Sequence, residues 1–183
     1  MTDTKIEPFS FASMQQAAPV HIPERQFISS HDGTSLAYYP FLSEKKTQAN
    51  MILIHGGGAH SLAGYEHIAY TLQHDFHVNV FLLDLRGHGH SQGKKGDTPR
   101  VTDVWQDISQ VVDAIKQDHN GAIYLCGHSS GAGLLLNYLS WPKKKKWTVT
   151  FLLHLNLAIS QALQGLIKSL LPLFKYGSSF CLR

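Results

Sequence analysis

After Ser129 this chain of 183 residues contains no Asp and no Glu. That absence excludes any paired-carboxylate chemistry from its last third and leaves the tail with charge of one sign. Residues 1–141 hold nine Lys and Arg against thirteen Asp and Glu, whereas residues 142–183 hold seven Lys and Arg and no acid. Such asymmetry marks the tail as a distinct segment. Cysteine is scarce as well. Cys126 and Cys181 offer neither a disulfide framework nor metal-ligand spacing, and Cys126 reads as a small core hydrophobe. Met1–Ser10 has no basic stretch followed by an apolar one, so no signal peptide is expected and the expected location is cytoplasmic. Histidine is plentiful at twelve, but scattered. His88 and His90 lie close together without a third ligand, so no metal site and no cofactor are expected.

What is present is a domain's worth of apolar sequence, 43% of the residues, enough for one sizeable core. Residues 1–23 are polar, interrupted by Pro8, Pro19 and Pro23, and read as a flexible arm. Asp32-Gly33 separates two short runs of strand-forming residues and signals a hairpin. The runs "MILIH" at 51–55, "VNVFLLD" at 78–84 and "AIYLCG" at 122–127 lack polar alternation, as strands buried on both faces do. Between them, helices are predicted over Ala63–His74 and over Val104–Gln117, the latter capped by Asp103. A further helix is predicted to begin within "GAGLLLNYLSW". This alternation implies a parallel sheet with helices on both faces, in which ligands bind at the carboxyl ends of the strands. Glycine-rich segments follow all three apolar runs at those ends.

The segment "GHSSGAG" at 127–133 sets Ser129 between Gly127 and Gly131. A serine hydroxyl is a weak nucleophile at neutral pH and needs exposure, a base and donors for the oxyanion formed on attack. A sharp strand-to-helix turn supplies the exposure, with glycines two residues to either side preventing collisions. Taken alone, this pattern is equally that of a glycine-rich loop. The earlier "HGGG" at 55–58 strengthens the catalytic reading, because its bare main chain can offer the Gly57 N–H beside the Ser130 N–H. The same stretch lacks dinucleotide-binding spacing and a phosphate-loop lysine, which disfavours nucleotide binding. Basic residues cluster only in the tail, so no nucleic-acid partner is expected.

The stretches "ILIHGGGAHSLAGYEHIAYTL", "VFLLDLRGHGHSQG" and "IYLCGHSSGAGL" resemble the α/β-hydrolase family. Within it they are similar to the monoacylglycerol lipase, lysophospholipase and serine aminopeptidase branch. The resemblance runs from about Phe27 to Trp141 and implies the amino-terminal half of that fold, truncated after the helix that follows the serine. It implies a hydrolase of carboxylic esters, with a lipid or other small-molecule ester as substrate. Ser129 would be the nucleophile, Gly57 and Ser130 would supply the oxyanion donors, and Gly127, His128 and Gly131 would shape the nucleophile elbow. Asp84, Arg86 and His55 would be scaffold.

The family's order is serine, then Asp or Glu, then His. Here no acid follows Ser129, and the single later histidine, His154, comes 25 residues on inside an apolar run. Activity is therefore expected to be impaired. The expected organisation is an arm at 1–23, a partial hydrolase domain at 24–141 and a basic, apolar tail at 142–183. Lys143–Lys146 is encoded by adenine-rich codons prone to a one-base slip, and the tail from about Lys146 is expected to be out of frame. A one-base shift forces an aspartate codon across Trp147 and Thr148. The alternative is a non-catalytic, binding or membrane-associated remnant. Leu155, Ile159, Leu163, Leu166 and Leu170 recur at helical spacing behind the lysines, which suits weak contact with an anionic membrane surface.

Overall fold

The computed structural model describes residues 20–47, 49–144 and 148–153, the last of these as backbone. The arm at 1–19 and the segment from His154 onward, including its predicted amphipathic helix, lie outside the described residues. The described residues all belong to one compact unit.

Strands β1 (Gln26–Ser29) and β2 (Ser35–Phe41) form the hairpin expected at Asp32-Gly33, with Gly33 at φ 82°. Asp32 closes the turn by accepting the Thr34 N–H at 3.0 Å. There follow β3 (Ala49–Ile54), α1 (Tyr65–Phe76), β4 (Asn79–Leu83), α2 (Val101–Asp118), β5 (Ala122–His128), α3 (Ser130–Ser140) and β6 (Thr148–Leu153). The sheet order is β1-β2-β4-β3-β5-β6. Strands β3, β4, β5 and β6 run parallel, and β2 joins β4 antiparallel.

The two faces of the sheet explain why the central strands show no polar alternation. Ile52, Ile54, Phe81, Leu83, Ile123 and Leu125 point to one face, where Ile108, Val111, Val112 and Ile115 of α2 meet Leu135 and Tyr138 of α3. Met51, Leu53, Val80 and Leu82 have the opposite parity and face the side on which α1 packs along β4. Every residue of β3 and β4 is buried. Cys126 lies wholly inside β5, where burial pushes its thiol up to about 12 and leaves it inert.

Helix starts depart from the sequence expectation. Helix α1 begins at Tyr65 rather than Ala63, because Gly64 takes a left-handed conformation at φ 95° and Glu66 accepts its N–H. Helix α2 begins at Val101, with extended Arg100 as its cap residue. Asp103 does not cap it. Its carboxylate is buried and instead accepts from Arg100 at 2.9 Å and faces His31 at 3.7 Å. The sheet also continues past Trp141, where the strand–helix alternation was expected to stop. Strand β6 pairs with β5 from Ile123↔Thr148 to His128↔Leu153.

Two polar clusters sit inside this framework. At the amino ends of the strands, the Asn79 amide donates to Asn50 Oδ1 at 2.9 Å, and the Asn50 amide donates to the Asn120 carbonyl at 2.9 Å. Asn79 Oδ1 in turn accepts the Ser43 N–H at 2.9 Å. At the other end, Arg86 grips Asp107 through Nε and Nη2, both at 2.6 Å, and reaches Asp32 through Nη1 at 3.0 Å. The Ser30 hydroxyl donates to the same Asp107. This fork ties the turn after β4, the β1–β2 hairpin and α2 together.

Removing one partner of a buried ion pair leaves the other charged and unsolvated. Asp107 and Arg86 are almost fully enclosed, at 1% and 7% side-chain exposure, while Asp32 is 37% exposed. Asp107→Ala is expected to cost about 3–5 kcal/mol of stability, read as a lowered urea midpoint. Asp32→Ala is expected to cost about 1 kcal/mol or less in the same assay, since its charge is screened by solvent.

Candidate active site

Strand β5 ends at His128 and helix α3 begins at Ser130, so a single residue makes the whole turn. That residue is Ser129, exposed and held at φ 52° and ψ −117°. A non-glycine residue in this region carries roughly 1–3 kcal/mol of backbone strain, sustained only where the surroundings enforce it. The enforcement is visible in the neighbouring glycines. A β-carbon on Gly127 would sit 2.6 Å from the Gly131 carbonyl carbon and oxygen. One on Gly131 would sit 2.5 Å from the His55 carbonyl oxygen and 2.7 Å from that of Ile54. Any side chain at either place would push α3 away from β3 and open the turn. Helix α3 begins directly after the serine, so its positive amino end faces the hydroxyl's surroundings.

The "HGGG" loop follows β3 and lies against this turn. A β-carbon on Gly57 would come within 3.1 Å of Ser130 Oγ, and one on Gly56 within 3.1 Å of His128 Nδ1. The loop's bare backbone therefore lies close against the elbow. Tyr65, the first residue of α1, stands between the two. Its hydroxyl accepts the Gly56 N–H at 3.0 Å and lies 2.5 Å from His128 Nδ1. Sequence reasoning missed Tyr65. Its partners are 9 and 63 residues away, and nothing in the local pattern distinguishes it from any other aromatic at a helix start.

His55, read as scaffold, is buried with both ring nitrogens engaged. Nδ1–H donates to the Gly56 carbonyl at 2.8 Å and Nε2 accepts the Leu85 N–H at 3.2 Å. Those partners define a neutral ring, and burial accordingly lowers its pKa from 6.5. Asp84 is fully buried and accepts the Ser61 N–H at 2.7 Å and the His90 N–H at 2.9 Å, joining the loops after β3 and β4. Gly89, at φ 50°, is the close approach that admits this carboxylate, because a β-carbon there would lie 2.1 Å from Asp84 Oδ2. His88 meets the Arg86 carbonyl and His90 meets the Tyr39 hydroxyl, each through Nδ1.

The structure thus brings Gly57, Gly127, His128, Ser129, Ser130 and Gly131 together at the carboxyl end of the parallel strands. His154 lies outside the described residues. Among the described residues no imidazole or carboxylate hydrogen-bonds the Ser129 hydroxyl, and no group of three His, Cys, Asp or Glu side chains could hold a metal.

A mainly parallel sheet with helices on both faces and a serine on a strained strand-to-helix turn defines an α/β hydrolase. Within that class the chain belongs to the family described as serine aminopeptidase, S33, whose pattern matches residues 45–174. The match continues beyond Trp141, where the resemblance was expected to end. Human monoglyceride lipase is 32% identical over 90 residues, covering 49% of this chain and 29% of the lipase. Protein phosphatase methylesterase 1 of Mus musculus is 29% identical over 87 residues, covering 48% of this chain and 22% of the esterase. Among solved structures, Est1E of Butyrivibrio proteoclasticus, described with ferulic acid bound, superposes with a TM-score of 0.55. It is 30% identical, and the match covers 61% of this chain and 45% of that one. The esterase EaEST of Exiguobacterium antarcticum gives a TM-score of 0.57 at 24% identity, covering 70% of this chain and 44% of that one, and shows the fold alone. The chain spans less than a third of these curated relatives and less than half of these solved chains.

Two outcomes follow from the packing and the ring states. Gly131→Ala is expected to lower stability by about 1–3 kcal/mol through overpacking on the β3 carbonyls. Gly133→Ala, two residues on in α3 with open space around it, is expected to be neutral or to stabilise by up to about 1 kcal/mol; urea melts of the two variants compare them. The depressed pKa of His55 means that the unfolded chain takes up its proton first as pH falls. Its contribution is therefore full above 6.5 and declines as pH drops below that value. His128, lowered by burial as well, acts in the same direction. The urea midpoint is expected to fall between pH 7.5 and pH 5.5, with a shallower fall in His55→Gln.

Proposed function

We propose that this chain carries the nucleophile-bearing half of a serine hydrolase of carboxylic esters, with lipid monoesters or lysophospholipids as the favoured substrates. The observation that carries the proposal is the left-handed Ser129 at the end of β5 with the Gly57 backbone packed beside Ser130. The monoglyceride lipase and esterase relatives support the same reading.

In this scheme Ser129 Oγ attacks the ester carbonyl carbon, and the charge that develops on the carbonyl oxygen is met by the Gly57 and Ser130 N–H groups. Collapse of the tetrahedral species breaks the bond to the alcohol oxygen, which leaves with a proton, and the acyl group stays on Ser129 until water releases it. Gly127, His128 and Gly131 shape the turn without taking part in bond changes. No metal or organic cofactor is required for these steps.

The proton released by Ser129 needs a base, and the chain supplies a poor choice. No Asp or Glu follows Ser129, and His154 is the single later histidine. Without a base, turnover rests on the oxyanion donors and binding alone, a loss on the order of a millionfold against a complete triad. The second reading, a binding or membrane-associated remnant without turnover, is favoured by this same lack of acid and by the lysines at 143–146. The out-of-frame origin of the tail belongs instead with the impaired hydrolase, as the reason its acid and histidine are missing, and is the rival of membrane contact.

Fluorophosphonate labelling and short-chain ester turnover test the hydrolase reading. Slow labelling at Ser129 on prolonged exposure to the probe, lost in Ser129→Ala, with turnover far below that of a complete serine esterase, is the expected result. Fast labelling and fast turnover would reveal a base beside Ser129, and labelling elsewhere would remove Ser129 from its role. Ser129→Gly is expected to raise stability by about 1 kcal/mol or more as the strain is relieved, read from the urea midpoint. Flotation with anionic liposomes at low and high salt separates the second reading: binding weakened by salt supports it, and no flotation at either salt excludes it.

A further inference from the structure

The Tyr65 hydroxyl joins two segments that together make the reaction centre, and the direction of each hydrogen bond follows from what its partners can do. The Gly56 N–H is a donor only, so at 3.0 Å the phenol oxygen accepts from it. The phenol proton is then free for the acceptor 2.5 Å away, His128 Nδ1. A neutral imidazole has one acceptor nitrogen, so His128 carries its own proton on Nε2. Both groups are suited to these states, since burial raises the Tyr65 pKa and lowers that of His128. Tyr65 is 8% exposed and its ring centroid lies 5.6 Å from that of the imidazole. Space is tight at the contact as well, because a β-carbon at position 56 would lie 3.1 Å from His128 Nδ1 and crowd the ring.

From this geometry we infer that Tyr65 is a positioning residue for Ser129 chemistry. Through Gly56 and His128 it holds the oxyanion loop and the elbow at one separation and keeps His128 in the Nε2–H form. One residue beyond Gly56 lies the Gly57 N–H, and one residue beyond His128 lies Ser129. Fixing the first of each pair aims the second. This role rests on the hydrolase reading above, but the tautomer it requires does not.

Two measurements on the full chain test it. Long-range proton–nitrogen NMR of histidine-labelled protein is expected to show His128 with Nδ1 bare and Nε2 protonated, and Tyr65→Phe is expected to mix the two tautomers. Fluorophosphonate labelling of Ser129 is expected to slow roughly tenfold or more in Tyr65→Phe, as misplacement of donors and nucleophile by a fraction of an ångström does. A His128 protonated on Nδ1 in the unaltered protein overturns the inference, even if the variant fails to fold. Labelling that is indifferent to Tyr65→Phe overturns the positioning role while leaving the hydrolase reading intact. Failure to label Ser129 of the unaltered protein even on prolonged exposure to excess probe overturns the hydrolase reading and the catalytic meaning of the relay with it.

Discussion

Where the first turn of α3 lies on the carbonyls of Ile54 and His55, main chain touches main chain with no room for a methyl group between. Most of what is distinctive about this protein depends on that contact. It requires glycine at 131, and the same crowding requires glycine at 127. It also leaves the intervening serine no relaxed conformation. The strain at Ser129 is small beside the burial of the β3, β4 and β5 side chains, so the sheet sustains it readily. A looser crossing of α3 over β3 would let the serine relax into ordinary helix, and its hydroxyl would lose its exposed place.

Around this contact the polar groups divide by charge. Near the serine the rings are neutral. His55 has both nitrogens engaged by backbone, and His128 accepts from a phenol. Full charge is placed deeper, at Asp84, and to the side, where Arg86 meets Asp107. A neutral lining suits the proposed chemistry, in which amides stabilise a transient negative charge, because a permanent negative charge would compete for those donors. Asp84 contributes by fastening the Ser61 and His90 amides to one carboxylate, which keeps the loops after β3 and β4 in step.

Much of this architecture could be read from the chain itself. Strands buried on both faces announce themselves as unbroken apolar runs, and β3, β4 and β5 were placed to within a residue or two for that reason. The elbow was legible because its glycines answer to backbone geometry, which sequence records directly. Helix starts were harder. Asp103 has the chemistry of a cap but is drawn away by Arg100 and His31, partners that only folding brings near. Strand β6 went unread because it follows a run of lysines and lacks the glycine-rich sequel of its neighbours. Tyr65 went unread for a related reason. Its importance lies in two hydrogen bonds to distant backbone and ring atoms, and a helix-opening tyrosine carries no sign of them.

The asparagine ladder at the opposite end of the sheet has a consequence of its own. Apolar strands of similar composition can slide past one another, since leucine over valine is nearly as good as leucine over isoleucine. Amides cannot slide so freely. Displace β4 by a single residue against β3 and Asn79 loses Asn50, leaving a buried amide N–H and a buried amide oxygen without each other. Asn50 and Asn79 thereby act as a vernier for β3 and β4, with the Asn120 carbonyl as a stop beside them, and the alignment they select at one rim is the alignment that delivers the serine at the other.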